Sequence, residues 1–309
     1  MVKLLAEPAP AKINLFLRVV GRRPDGYHEL DSVFVPVSLC DQVGVEIRVD
    51  PRSAADTAIV LTCDRPVGYD DNLPTGEKNL AWRAAAAFLR EFGPAIHRPS
   101  QVTIDLRKKI PAGAGLGGGS SDAGAVLRMM AALCRVEDVP RMARVALALG
   151  ADVPFFLNPH PAHVGGVGER IAPLETATAN QSARIARTPL HMVLAVAAVE
   201  VSTAEVFRAL LPAQWSGAAP AEHLRAIAAG KTTPAMLQND LAAVAMARYP
   251  EIAELRSALI AAGAQGASMS GSGGAVFGIF ANGRTAAQAA VEMGRNFPQA
   301  RYYVVNSLP

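Results

Sequence analysis

Cysteine is scarce: Cys40, Cys63 and Cys134 stand alone in 309 residues, widely spaced, with no Cys-x-x-Cys pair and no adjacent histidine pattern. That excludes a disulfide framework and a structural zinc site, and points to reduced core thiols in a cytosolic protein. Long apolar runs are missing too. A membrane-spanning helix needs roughly 20 such residues, whereas the alanine-rich stretches here are broken by charge and the opening Met-Val-Lys-Leu-Leu-Ala-Glu-Pro holds no extended apolar segment. Neither membrane insertion nor secretion is expected, and the expected location is the cytoplasm. Charge of one sign is also lacking, since the net charge is only +3. A small anionic ligand is permitted, but the concentrated basic footprint of a nucleic-acid binder is not there. With half its residues hydrophobic and 18% charged, the chain is a folded globular protein long enough for two domains. There is no internal repeat.

What is present is glycine in clusters. Lys109 to Asp122 reads Lys-Ile-Pro-Ala-Gly-Ala-Gly-Leu-Gly-Gly-Gly-Ser-Ser-Asp, five glycines and two serines set directly before a helical pattern. Glycines let successive N–H groups face one concavity, and the helix start adds unpaired N–H groups and a positive dipole end. An anion is the natural occupant. A Walker A loop fails at one letter, because Gly119 stands where its lysine belongs. Gly113 to Gly118 does spell the dinucleotide fingerprint, although about one hundred residues precede it where that motif follows a first strand. That reading and a plain glycine turn both stay open at this point.

The pattern around the loop predicts an α+β chain. Ala11 to Val20 alternates as a half-buried strand, with Lys12 and Asn14 on one face and Ile13, Leu15, Leu17 and Val19 on the other. After the turn at Asp25-Gly26 come extended runs at Ser32 to Leu39 and Val43 to Val49. Residues 50–76 read as an irregular excursion, and Asn79 opens a helix that Gly93-Pro94 stops. Val102, Ile104 and Leu106 form a strand into the loop, after which Val126, Leu127, Met130 and Leu133 mark a helix face, with Ser120, Ser121 and Asp122 as cap and first-turn acid. A helix over Arg141 to Leu149 leads to Asp152 at a bend. Beyond residue 165 a split βαβ layer is expected, with strands at His191 to Val199, Ala275 to Phe280 and Arg301 to Val305, and helices at Thr203 to Leu211, Pro234 to Tyr249, Pro250 to Ala262 and Thr285 to Arg295. The expected domains are 1–165 and 166–309. A second cluster, Gly266 to Gly274, predicts that two glycine loops form the walls of one cleft. His160 and His163 lack a third ligand and read as loop residues, so no metal site is assigned.

Five blocks in order, Ala9-Pro-Ala-Lys12-Ile-Asn14-Leu, Asp25-Gly-Tyr27-His28, Pro111 to Ser121, Leu149-Gly-Ala-Asp152-Val-Pro and Ser268-Met-Ser-Gly271-Ser-Gly, resemble the GHMP small-molecule kinases. The resemblance implies a ribosomal-protein-S5-like N-terminal ATP-binding domain and a ferredoxin-like C-terminal domain. It implies ATP and Mg²⁺ as cofactors, and an acceptor that is a cytidine diphosphate ester of methylerythritol, phosphorylated on its 2-hydroxyl in the non-mevalonate isoprenoid route. Pro111, Ala112, Gly113, Ala114, Gly115, Leu116, Gly117, Gly118, Gly119, Ser120 and Ser121 map onto the triphosphate cradle, with Asn79 near the base. Lys12 and Asp152 map onto the catalytic pair, and Asn14, Tyr27 and His28 onto the substrate wall. Other GHMP acceptors (mevalonate, homoserine or a sugar) and a nucleotide-binding protein without catalysis are the alternatives. A monomer or weak homodimer is expected. Asp122 departs from the family's common asparagine, and an acid beside phosphates calls for a Mg²⁺ or an outward side chain. Residues 50–76 and 175–189 are longer than usual.

Overall fold

Apolar alternation makes the first two strands, but they run further and lie deeper than the pattern alone shows. In the structure, a computed structural model that describes residues 2–50, 56–65, 74–97, 99–174 and 189–309, β1 spans Val2–Arg22 and β2 spans His28–Arg48. They are joined by a turn in which Gly26 takes φ +89° and the Asp25 carboxylate accepts from the Tyr27 N–H. β1 is not half-buried: from Ala9 to Leu17 both faces are covered, and Lys12 and Asn14 are 3% and 2% exposed. The two extended runs read separately in the sequence are one strand, β2. The apparent break at Cys40-Asp41-Gln42 is polar without being a turn, because the Asp41 side chain is buried and bonded.

The chain forms two compact units, each discontinuous in sequence. The first comprises Met1–Ala11, Leu39–Ala112 and Gly117–Pro159. Within the stretch expected to be irregular lies β3 (Ala58–Asp64); 51–55 and 66–73 are outside the described residues. Next come α1 (Leu80–Phe92), β4 (Gln101–Arg107), α2 (Gly118–Cys134) and α3 (Val139–Leu149). β4 lies antiparallel to the Gln42–Arg48 end of β2 and parallel to β3. The strands place Val43, Val45, Ile47, Val102, Ile104 and Leu106 against Ala84, Phe88 and Phe92 of α1 and Val126 and Met130 of α2. Each such large side chain, fully withdrawn from water, contributes about 1.5–3 kcal/mol. This core therefore fixes where β4 ends and α2 begins, which are the two ends of the glycine loop.

The second unit comprises Lys12–Ser38, Gly113–Leu116 and His160–Pro309. β5 (Ala162–Gly166) pairs antiparallel with β2 at Leu30 to Phe34 and with β6 (Arg170–Pro173), so His163 is a strand residue and not a loop residue. Residues 175–188 of the stretch expected to be long lie outside the described residues. There follow β7 (His191–Val196), α4 (Thr203–Ala209), α5 (Ala221–Ala228), α6 (Ala242–Arg248), α7 (Pro250–Ala261), β8 (Gly266–Met269), β9 (Ala275–Phe280), α8 (Gly283–Asn296) and β10 (Arg301–Asn306). Four of these strands form an antiparallel sheet in the order β10-β7-β9-β8. Val193, Ala195, Val276 and Met269 share one core with Ile252, Leu255 and Leu259 of α7 and Ala289 and Met293 of α8. β8 occupies part of the second glycine cluster, where a loop was expected, and α5 carried no sequence signal of its own.

Candidate active site

In the second unit, β1 delivers Lys12 and Asn14 two positions apart, hence on one face. The Lys12 Nζ donates to Asn14 Oδ1 at 2.7 Å and lies 4.5 Å from the centroid of the Phe34 ring. Asn14 Nδ2 donates to Ser32 Oγ at 3.0 Å, which in turn donates to the Phe16 carbonyl, and the Asn14 N–H donates to Ser270 Oγ. Both residues are thus held from several directions, as groups must be that position a reacting atom. The glycine loop is tied to the same strand, the Lys12 N–H donating to the Leu116 carbonyl at 2.9 Å. The two glycine clusters do not face each other across a gap, as the cleft reading expected. They touch: the Ala275 N–H donates to the Ala114 carbonyl at 3.1 Å and Ser270 Oγ donates to the Gly115 carbonyl at 3.1 Å. The approach is close enough that a Cβ on Gly115, at φ +75°, would sit 2.4 Å from the Ser270 carbonyl oxygen.

In the first unit, α2 starts at Gly118 behind Gly117, which takes φ 72°, and no side chain caps it. Ser120, Ser121 and Asp122 are therefore not caps, which corrects the sequence reading. The Ser121 N–H is already used, donating to the Gly117 carbonyl at 2.8 Å. Gly118, Gly119 and Ser120 occupy the first three helical positions, whose N–H groups have no intrahelical acceptor, and the dipole end there favours an anion. A Cβ on Gly119 would meet nothing within 4 Å, so space lies open in front of that turn.

Asp122 takes neither course anticipated for it. Its Oδ2 accepts from the buried Lys108 Nζ at 2.5 Å, and Lys108 also donates to Asp41. Burial pushes the Asp122 carboxyl up to about 7, the Lys108 ammonium opposing it and the Asp41 charge adding to it. Lys108 itself is driven upward: burial would lower it, but the two carboxylates outweigh that. One ammonium serves two carboxylates, and Asp122 carries the excess, because Asp41 also accepts from the N–H groups of Lys109 and Ile110.

Asp152 lies in the turn after α3, just before a 3₁₀ turn over Pro154–Leu157. That turn packs on α2 at Gly124, where a Cβ would come 2.6 Å from the Phe156 Cβ, and the Arg128 guanidinium donates to the Phe156 carbonyl. Asn79 caps α1, its Oδ1 accepting from the Ala81 N–H at 2.9 Å and its Nδ2 donating to the Pro74 carbonyl at 2.9 Å.

His28 opens β2 with its ring stacked on Phe207 (centroids 5.3 Å) and edge-on to Trp215 (5.8 Å), while Tyr27 is 66% exposed. Burial, with Arg22 second, lowers the His28 pKa, so at neutral pH the imidazole offers one donor and one acceptor nitrogen. Beside it Asp31 accepts from the Ala219 N–H at 2.5 Å and pairs with His163 Nε2 at 2.5 Å. Burial would raise Asp31, but the hydrogen bonds from His163 and Ala219 prevail and hold it below its ordinary 3.8. A carboxyl lowered in the folded state stabilises above its unfolded pKa and loses that contribution as pH falls through the folded value. Thermal melts of the wild type and Asp31→Asn should therefore differ most above pH ~5 and draw together only as the pH falls below 3.8 and through the lower folded value.

Known proteins resemble this chain in sequence and fold. The GHMP kinases N terminal domain family matches residues 79–159 and the GHMP kinases C terminal family matches residues 222–299. A 4-diphosphocytidyl-2-C-methyl-D-erythritol kinase of Anaeromyxobacter dehalogenans is 42% identical over 91% of this chain and 82% of its own. That of Thermus thermophilus is 41% identical over 94% and 93%. The crystal structure of a 4-(cytidine 5'-diphospho)-2C-methyl-D-erythritol kinase superposes with a TM-score of 0.78 at 36% identity, covering 99% of this chain and all of the other.

The chain belongs to the 4-diphosphocytidyl-2-C-methyl-D-erythritol kinase family of GHMP kinases. Against that family's architecture, the expectation of an α+β GHMP kinase holds, and the structure has two sheets among the described residues. The dinucleotide alternative does not, because β4 delivers the loop from a ladder that is antiparallel on one side. Among the described residues no cluster of metal-ligating side chains is present, and no helix is long and apolar enough to cross a membrane. Several residues that hold the candidate groups within each unit escaped the sequence reading: Asp41, Lys108, Gly124 and Arg128 in the first, Ser32 and Phe34 in the second. Only Gly124 gave a visible signal, a glycine inside a helical pattern where close packing is the usual reason.

Proposed function

We propose that the chain transfers the γ-phosphoryl group of ATP to the 2-hydroxyl of 4-diphosphocytidyl-2-C-methyl-D-erythritol, a step of non-mevalonate isoprenoid precursor synthesis in the cytoplasm. The observation that carries it is the uncapped start of α2 behind left-handed Gly117, with open space before Gly119. Three N–H groups without an intrahelical acceptor and a dipole end form a cradle for phosphate oxygens, and among the described residues no side chain caps it. Residues Pro111 to Ser121 make this cradle in our reading, 1–165 is the ATP-binding domain and 166–309 its C-terminal companion.

Phosphoryl transfer to an alcohol passes through a loose transition state, so the chain's task is to align the reactants and offset charge. The amides of Gly118, Gly119 and Ser120 bind phosphate oxygens. Lys12, steadied by Asn14 and Phe34, faces the transferring group. Asp152 orients the acceptor hydroxyl and takes its proton late. Asn79 borders the adenine. His28, neutral and braced by Phe207 and Trp215, hydrogen-bonds the cytosine edge while the exposed Tyr27 ring closes over its face. Mg²⁺ accompanying ATP would neutralise phosphate charge. The hydroxyls of Ser120 and Ser121 are the oxygen donors at hand, Ser121 Oγ being buried without a hydrogen-bond partner among the described residues. Asp122 is committed to Lys108 and is not available for that purpose.

A coupled ADP assay over the cytidine diphosphate ester, mevalonate, homoserine and a sugar tests the reading. ADP release is expected with the cytidine acceptor alone. Turnover of mevalonate or homoserine at a higher kcat/KM would overturn the acceptor assignment, and ADP release indifferent to any acceptor would overturn the kinase.

A further inference from the structure

The loop's two ends are joined by a buried ion cluster that the reaction does not use. Lys108, Asp41 and Asp122 have side chains 2%, 0% and 4% exposed. Asp41 Oδ1 accepts from the N–H groups of Lys109 (2.5 Å) and Ile110 (2.9 Å), the residues that lead into the loop. Lys108 bonds Asp41 Oδ2 on one side and, 14 residues along the chain, Asp122 Oδ2 in the second turn of α2 on the other. Between them the loop's ends abut: a Cβ on Gly118 would lie 3.0 Å from Ile110 Cγ2 and 3.6 Å from Asp41 Oδ2.

As a source of stability this cluster is a poor choice. Two acids share one ammonium in the interior, and apolar side chains of like size often serve stability as well or better. What the cluster supplies is geometry. Helix α2 has no capping side chain at Gly117, and Asp122 Oδ1 and Ser121 Oγ find no partner among the described residues. Of the polar atoms in Ser121 and Asp122, only Asp122 Oδ2 is tied to a neighbouring element.

We propose that Lys108 is a two-armed positioning residue for ATP, holding the loop's leading strand through Asp41 and the start of α2 through Asp122 at the spacing that turns the amides of Gly118, Gly119 and Ser120 toward one phosphate. The inference rests on the reading of the loop as the triphosphate cradle. Its experimental signature is selective: loss of one arm disturbs ATP and leaves the acceptor alone.

Steady-state kinetics on the full chain test it, with the wild type's own ATP-dependent turnover measured first. If the wild type shows none, the functional reading has failed and this inference falls with it. With an active wild type, Asp122→Ala is expected to raise KM for ATP about tenfold, a change of about 1.4 kcal/mol, with KM for the cytidine acceptor within about twofold. Asp122→Asn keeps an acceptor oxygen for Lys108 and is expected to restore KM for ATP to within about threefold of wild type. Should Asp122→Ala not fold, Asp122→Leu fills the space with an apolar group of like size, leaves Lys108 on Asp41 and carries the same measurement. An unchanged KM for ATP in a folded variant, or equal shifts for both substrates, overturns the inference while leaving the kinase intact.

Discussion

Replacing Asp152 by alanine is expected to lower kcat about a thousandfold while the melting temperature stays within a degree or two of wild type. Loss of a positioned proton acceptor costs typically 10²–10⁴ in rate, and the residue sits in a turn, partly exposed, outside either hydrophobic core. Removing it leaves no cavity. KM for ATP should change little, because the cradle at the start of α2 does not include this side chain. Single-turnover rates with saturating ATP and acceptor, beside a thermal melt, make the check. A variant that turns over at a tenth of the wild-type rate or better removes Asp152 from the reaction.

Gly124→Ala is expected to damage both stability and rate, although in an exposed helix the same exchange stabilises by about 1 kcal/mol. Here the added methyl would meet the Phe156 Cβ at 2.6 Å and its carbonyl oxygen at 2.7 Å, and the backbone of that turn is also held by Arg128. Backbone cannot yield as a side chain's far end can. Overpacking of this kind costs about 1–3 kcal/mol, which exceeds the propensity gain. The turn over Pro154–Leu157 follows directly on Asp152, so pushing it off α2 shifts the carboxylate. A misplacement on the order of 1 Å costs about a hundredfold in rate. The expected result is a lower melting temperature and a kcat reduced ~100-fold with KM for ATP nearly unchanged. That separates this variant from Asp122→Ala, whose expected effect falls on ATP. A Gly124→Ala enzyme with wild-type kcat would show that α2 does not set the position of Asp152.

Where a residue's environment comes from its neighbours along the chain, the sequence disclosed it. Val102, Ile104 and Leu106 alternate and are buried in β4; Asn79 opens a helix as expected; Ala275 to Phe280 is a strand with those same bounds. Lys12 and Asn14 share a face, and their side chains are hydrogen-bonded. Where partners are distant in sequence, the reading ran short. Asp41 looked like an interruption between two strands because its partners, Lys108, Lys109 and Ile110, lie 67 to 69 residues away. Asp122 looked like a cap because serines and acids at a helix start usually are, and only the fold brings Lys108 against it. β3 was hidden by polar, proline-containing flanks, and its own residues alternate between exposed and half-buried, which weakens any apolar period. β8 was masked by its own composition, since Gly266-Ala-Ser-Met carries little strand propensity and is a strand because β9 pairs with it. The catalytic assignment to Lys12 and Asp152 came from a pattern of five blocks, for neither residue alone departs from an ordinary strand lysine or turn aspartate.

The central claim is transfer of one phosphoryl group from ATP to the 2-hydroxyl of the cytidine diphosphate ester, and phosphorus NMR of the reaction mixture tests it most directly. With purified protein, Mg²⁺, ATP and that acceptor, a new phosphomonoester resonance coupled to the acceptor's C2 position is expected to grow in step with ADP, one for one. ADP accompanied by inorganic phosphate, or a phosphomonoester on any other hydroxyl, would contradict it.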